Sequence, residues 1–116
     1  MNSPTQIKLR RAENLLEVRF EDGGHVSLSA EFLRVHSPSA EVQGHGPGQQ
    51  VLVARKKSVA ITGIEPTGNY AIRLIFSDGH DTGIFTWDYL HRLGQEEKIR
   101  WRHYLRMLED AGLTRE

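Results

Sequence analysis

Polar and apolar residues alternate along Thr5-Gln6-Ile7-Lys8-Leu9-Arg10, which puts Ile7 and Leu9 on one face of a strand. Leu16-Glu17-Val18-Arg19-Phe20 and His25-Val26-Ser27-Leu28-Ser29 alternate in the same way. Between them lies Glu21-Asp22-Gly23-Gly24, and Asp-Gly between alternating runs is a hairpin signal because glycine tolerates the positive φ of the turn. Ser29 is placed to cap a short helix over residues 30–35. Residues 36–50 hold three glycines and two prolines and read as a loop, and Val51-Leu52-Val53 fits either a helix or a strand. Ser58–Glu65 reads as a strand, Pro66–Asn69 as a turn, and Tyr70–Phe76, the most apolar run, as a central strand.

The first pattern then returns. Ser77-Asp78-Gly79-His80 is a second Asp-Gly turn, Asp81–Phe85 a short strand, and Thr86 or Asp88 caps a short helix that Gly94 stops. Phe20-Glu21-Asp22-Gly23-Gly24-His25 matches Phe76-Ser77-Asp78-Gly79-His80, and Glu31-Phe32-Leu33-Arg34 matches Asp88-Tyr89-Leu90-His91. One supersecondary unit is therefore repeated. From Gln95 to Leu113 the period predicts a long helix with Ile99, Trp101, Leu105 and Leu108 on its stripe, Glu96 and Glu97 in its first turn, and Gly112 as its stop. The expectation is an α+β domain over residues 5–95, a small and mainly antiparallel sheet with short helices, and a C-terminal helix at 95–113 packed on it.

Composition narrows the function. Fifteen Lys and Arg balance fifteen Asp and Glu, which argues against a nucleic-acid binder. The chain has no cysteine, so it has no disulfide and no thiolate of its own for catalysis or iron–sulfur ligation. No run is long and apolar enough for a membrane helix, and the N-terminus does not read as a signal peptide; a cytoplasmic protein is expected.

Four features could carry chemistry. His25, His36, His45 and His80 fall in turns or the long loop and are candidate metal ligands, although none shows a helical metal-ligand spacing. Gly44-His45-Gly46-Pro47-Gly48 lacks the lysine and the helix that a phosphate loop needs and reads as an ordinary loop. In Ile84-Phe85-Thr86-Trp87-Asp88-Tyr89-Leu90, Trp87 and Tyr89 serve equally well as core or as a contact surface. The last helix carries Arg100, Arg102, His103 and Arg106, flanked by Glu96, Glu97, Glu109 and Asp110, which reads as a mixed-charge solvated face. No Ser–His–Asp order is recognisable.

Leu33-Arg34-Val35-His36-Ser37-Pro38-Ser39-Ala40-Glu41-Val42, Ser77-Asp78-Gly79-His80 and Ile84–Leu90 together resemble the DUF971 family, also called the γ-butyrobetaine hydroxylase-like N-terminal domain. The resemblance spans roughly residues 5–95 and implies a domain without a catalytic iron, found before oxygenase domains, fused to iron–sulfur carrier ATPases, or alone. It also implies a zinc site of three cysteines and a histidine, whose positions here are Ser37, Ser39, Val42 and His80. With those cysteines absent, no cofactor is expected and the family zinc is expected to be lost. The resulting expectation is a non-catalytic binding module serving a protein partner, iron- or iron–sulfur-related, through His36, Ser37, Ser39, His45, His80, Trp87 and Tyr89. The alternatives are a His-based zinc or iron domain or metalloenzyme, and a nucleic-acid binder through the last helix.

Overall fold

The alternating runs fold as strands, and each Asp-Gly turn closes a hairpin. The computed structural model describes residues 2–44 and 50–116. Strands β1 (Pro4–Arg10), β2 (Leu15–Phe20) and β3 (His25–Ser29) form one antiparallel sheet in that order, and α1 (Ala30–Val35) leaves β3 directly. After α2 (Ala40–Gln43), strands β4 (Ile61–Thr67), β5 (Ala71–Phe76) and β6 (Gly83–Thr86) form a second antiparallel sheet, and α3 (Trp87–Ala111) leaves β6. The fold is α+β, and β5 is central in its sheet.

The repeat is larger and more regular than the sequence pattern suggests, because each unit is three strands and a helix. Phe20 N–H donates to Gly24 O at 2.8 Å and Phe76 N–H to His80 O at 3.0 Å. Asp22 Oδ1 accepts from Gly24 N–H at 2.8 Å and Asp78 Oδ1 from His80 N–H at 3.1 Å. Gly23 and Gly79 hold φ of 87° and 91°. The structural counterpart of His80 is therefore Gly24, not His25. Ser29 Oγ caps α1 by accepting from Phe32 N–H, and Thr86 caps α3 by accepting from Tyr89 N–H. Leu16 and Ile72, Val18 and Leu74, Phe20 and Phe76, Leu28 and Phe85, and Leu33 and Leu90 occupy matching places in one shared core.

The units grip each other reciprocally. Arg34 of α1 pairs with Asp78 in the second turn at 2.8 Å, and its counterpart His91 of α3 lies 3.6 Å from Asp22 in the first. Where α3 crosses β3, a Cβ on Gly94 would collide with Val26; at the matching place, a Cβ on Gly83 would collide with Ser37 Oγ. Gly94 thus does not stop a helix. It lies within α3, which runs unbroken from Trp87 to Ala111, and the absent side chain lets the helix lie against β3. The expected boundary at residue 95 falls inside this helix, and Glu96 and Glu97 lie in its body rather than its first turn. Glu96 instead pairs with Arg100 one turn on.

Other expectations shift for local reasons. The buried line of α3 is Leu90, Leu93, Tyr104 and Leu108, with Trp101 partly buried beside it. Ile99, 66% exposed, and Leu105 lie off that stripe. β4 starts at Ile61 because Val59 N–H closes a turn onto Lys56 O, Val59 O accepts from the Asn14 amide, and Ala60 N–H donates to Ser77 Oγ. It runs to Thr67 through Pro66, which an edge strand tolerates. Residues 51–54 form neither helix nor strand; Leu52, Val53 and Ala54 pack against Val35, Tyr104 and Leu108. Gly112, with φ 68°, ends α3, and Arg115 returns to make a two-point ion pair with the buried Glu31 at 2.7 and 2.9 Å.

Replacing Gly94 with alanine should destabilise the protein by about 1–3 kcal/mol in urea unfolding, since overpacking outweighs the ~1 kcal/mol that alanine gains in a helix. In a Val26→Ala background the loss should shrink. Equal losses in both backgrounds would mean that the Gly94–Val26 contact is not what demands glycine.

Candidate functional site

Ser37 follows directly on α1, Ser39 caps α2, and the second Asp-Gly turn carries His80 over both. All three polar side chains are buried, Ser37 completely. Ser39 Oγ accepts from Glu41 N–H at 3.2 Å and shares a hydrogen bond with Thr82 Oγ1 at 2.6 Å. Ser37 Oγ lies 2.9 Å from His80 Nε2 and accepts from Ser39 N–H at 3.3 Å. His80 Nδ1 lies 2.9 Å from Glu41 Oε2. In the neutral ring the Glu41 carboxylate can only accept, so Nδ1 carries the proton and Nε2 accepts the Ser37 hydroxyl hydrogen. Gln43 completes the cluster by donating to Ser37 O at 3.0 Å.

A hydroxyl on Nε2 and a carboxylate on Nδ1 is the connectivity of a serine hydrolase triad. The exposures are inverted. The hydroxyl that would attack is sealed and packed against Gly83, while the Glu41 side chain is 61% exposed. The arrangement therefore ties α2 and the second turn together and leaves the Ser37 oxygen out of a substrate's reach.

Asp78 anchors the turn that carries His80. Its Oδ2 accepts from Arg34 at 2.8 Å and Lys56 at 2.6 Å, and its Oδ1 from the His80 N–H. Burial pushes this carboxyl up, but the bonds from Lys56, the His80 amide and Arg34 outweigh burial and hold it at about 2.

The remaining candidates separate. His36 stacks on Phe32 with centroids 4.3 Å apart, and its Nδ1 donates to Phe32 O at 2.9 Å. Burial lowers its pKa, aided by the charges of Arg100 and His103. His25 is exposed at the start of β3 and His91 faces Asp22, so each of these histidines has its own surroundings. Among the described residues, no group of three or more His, Cys, Asp or Glu could hold a metal. His45, with Gly46, Pro47 and Gly48 of the Gly-rich stretch, lies outside the described residues; Gly44 is the C-cap of α2. Trp87 belongs to the core, 8% exposed, with its indole N–H donating to Asn69 O at 2.9 Å. Tyr89 is half-buried. Its hydroxyl donates to His36 O at 2.6 Å, and Arg92 and Arg100 lie 5.4 and 5.9 Å from its ring centre. The loop after α1 and the Tyr89 face are thus one surface.

The four positions that the family resemblance assigns to zinc do not form a zinc donor set here. Ser37, Ser39 and His80 converge, but they offer two hydroxyls and a ring with both nitrogens engaged, and Val42 offers no donor. Sequence reasoning missed Glu41, Asp78 and Thr82 as members of this cluster. The Asp-Gly-His turn was a usable signal for Asp78, whereas nothing in the spacing joins Glu41 to a histidine 39 residues away.

A second feature lies beside this cluster. A cleft of about 300 Å³ opens between the end of α1, residues 50–53 and α3, with Val35, Val42, Leu52 and Val53 among its walls. Tyr104 closes one side, its hydroxyl donating to Val53 O at 2.6 Å. Among the described residues, no helix is long and apolar enough to cross a membrane.

The family model described as gamma-butyrobetaine hydroxylase-like, N-terminal, matches residues 7–91. No curated protein matches the chain. Two NMR solution structures are similar over the whole chain, at 48% and 46% identity and TM-scores of 0.86 and 0.87, covering 91% and 86% of their own chains. A crystal structure of a DUF971 family protein of unknown function from Acidithiobacillus ferrooxidans is 39% identical with a TM-score of 0.67, covering 79% of this chain and 92% of that one.

Ser37→Ala should cost about 2 kcal/mol, because it strands the buried His80 Nε2 and the Ser39 amide; urea unfolding would measure it, and a loss near zero would contradict the network. Asp78 contributes stability above its ordinary pKa of 3.8 that is lost as pH falls towards about 2. Asp78→Asn should therefore remove about 1–2 kcal/mol at neutral pH, after allowance for solvent screening, and flatten the pH dependence of unfolding between those values.

Proposed function

The chain belongs to the gamma-butyrobetaine hydroxylase-like N-terminal family, and from that premise we propose that it is a non-catalytic binding module for a protein partner in the cytoplasm. The observation that carries this reading is the inverted exposure of the Ser37–His80–Glu41 cluster. A catalytic nucleophile has to meet its substrate, and the Ser37 oxygen meets only protein. The cluster instead stiffens the segment beneath a surface suited to recognition. That surface runs from the loop after α1 to Tyr89, where Arg92 and Arg100 flank an aromatic ring; tyrosine and arginine dominate binding energetics when a partner covers them.

No metal enters this reading. With its thiolate positions filled by Ser37, Ser39 and Val42, the domain keeps its shape through hydrogen bonds. The family contexts point to an iron- or iron–sulfur-dependent protein as the partner.

Affinity purification from the native host, with wild-type protein and Arg92→Glu side by side, tests the proposal. Arg92 is exposed, so the variant should unfold like wild type. The expected result is a partner retained by wild type and reduced at least tenfold in the variant. Equal recovery with both proteins, or no specific partner, would count against the module and its face.

A further inference from the structure

The cleft beside α1 has a one-sided chemistry. Its described lining combines aliphatic walls with the basic side chains His36, Arg100 and His103, and contains no carboxylate, although the chain as a whole is balanced in charge. Its volume, about 300 Å³, lies at the lower end of small-molecule sites, which pair an apolar wall with a few placed polar groups. The polar groups have distinct roles. His36 must use its Nδ1 hydrogen on Phe32 O, so it presents no second donor while neutral. Tyr104 commits its hydroxyl to Val53 O. Arg100 remains as the cation and His103 as a ring that can donate a hydrogen bond, both on α3. Arg100 is held 2.8 Å from Glu96, a carboxylate that does not line the cleft.

We infer that this cleft binds a small apolar carboxylate, with an aliphatic chain against Val35, Leu52 and Val53 and its carboxylate at Arg100 and His103. The carboxylate of Glu96 already occupies Arg100 from outside and so competes with such a ligand. This goes beyond the protein-partner reading by assigning a small-molecule site; Arg100 borders both the cleft and the Tyr89 face, so a partner on that face and the ligand would share this side chain.

The test is titration of the full chain with decanoate, decanol and decylammonium below their micelle concentrations, followed by NMR shifts of Val53 and Tyr104. Decanoate should bind tightest and decylammonium weakest. Arg100→Gln should weaken decanoate about tenfold, the equivalent of one charge-assisted contact, and leave decanol unchanged, which also shows the cleft intact. Glu96→Gln should tighten decanoate by freeing Arg100. Equal affinity for the three compounds, no binding of decanoate, or decanoate binding indifferent to Arg100→Gln would each overturn the assignment. Loss of partner capture by Arg92→Glu is a separate readout, so either proposal can fail without the other.

Discussion

Two copies of one unit share a single core, so each unit must bring its helical segment close against the other unit's third strand. That closeness is the constraint on which the rest depends. At each of the two crossings one facing residue has no side chain: Gly94 opposite Val26, and Gly83 opposite Ser37. A pair of side chains would push the units apart and open the core formed by the matched positions from Leu16 and Ile72 to Leu33 and Leu90. The Arg34–Asp78 ion pair then fixes α1 over the second turn, and at the matching place His91 of α3 stands 3.6 Å from Asp22 of the first.

The copies differ where function is to be sought. In the first turn the position after the glycine is Gly24, which has no side chain to offer. In the second it is His80, whose ring enters the space between the turn and α2. Likewise Gly94 holds the crossing position on α3, while Ser37 holds it after α1 and turns its hydroxyl to that ring. The asymmetry of the repeat thus creates one buried polar cluster, and burial obliges each of its groups to find a partner. The exposed Glu41 closes the chain of bonds from the solvent side.

Much of this was legible in the sequence. The Asp-Gly turns, the caps at Ser29 and Thr86, the alternation of β2 and β3 and the doubled unit are local signals, and local signals survive folding. The α3 boundary was not legible, because a glycine within a helix and a glycine ending one look alike until the strand against it is known. Tyr104 was missed because its hydroxyl hides a buried ring, and Ile99 was misplaced because, at about 100° per residue, it lies about 200° round the helix from Trp101. The partners of His80 were illegible for a different reason: Ser37 and Glu41 reach it only through the contact between units. Trp87 fitted core and surface equally well from sequence, and its burial among the core side chains resolves it as core, with the indole N–H satisfied by Asn69 O.

The Ser37–His80–Glu41 cluster is closed in the native state rather than opening to present Ser37. Native-state hydrogen exchange of the Ser39 amide, which donates to Ser37 Oγ, tests this most directly. A closed cluster predicts protection approaching that of the central-strand amides of Leu74 and Ile75, so that exchange needs global unfolding. Exchange at the rate of an exposed loop, with β5 still protected, would show that the cluster opens on its own and would contradict it.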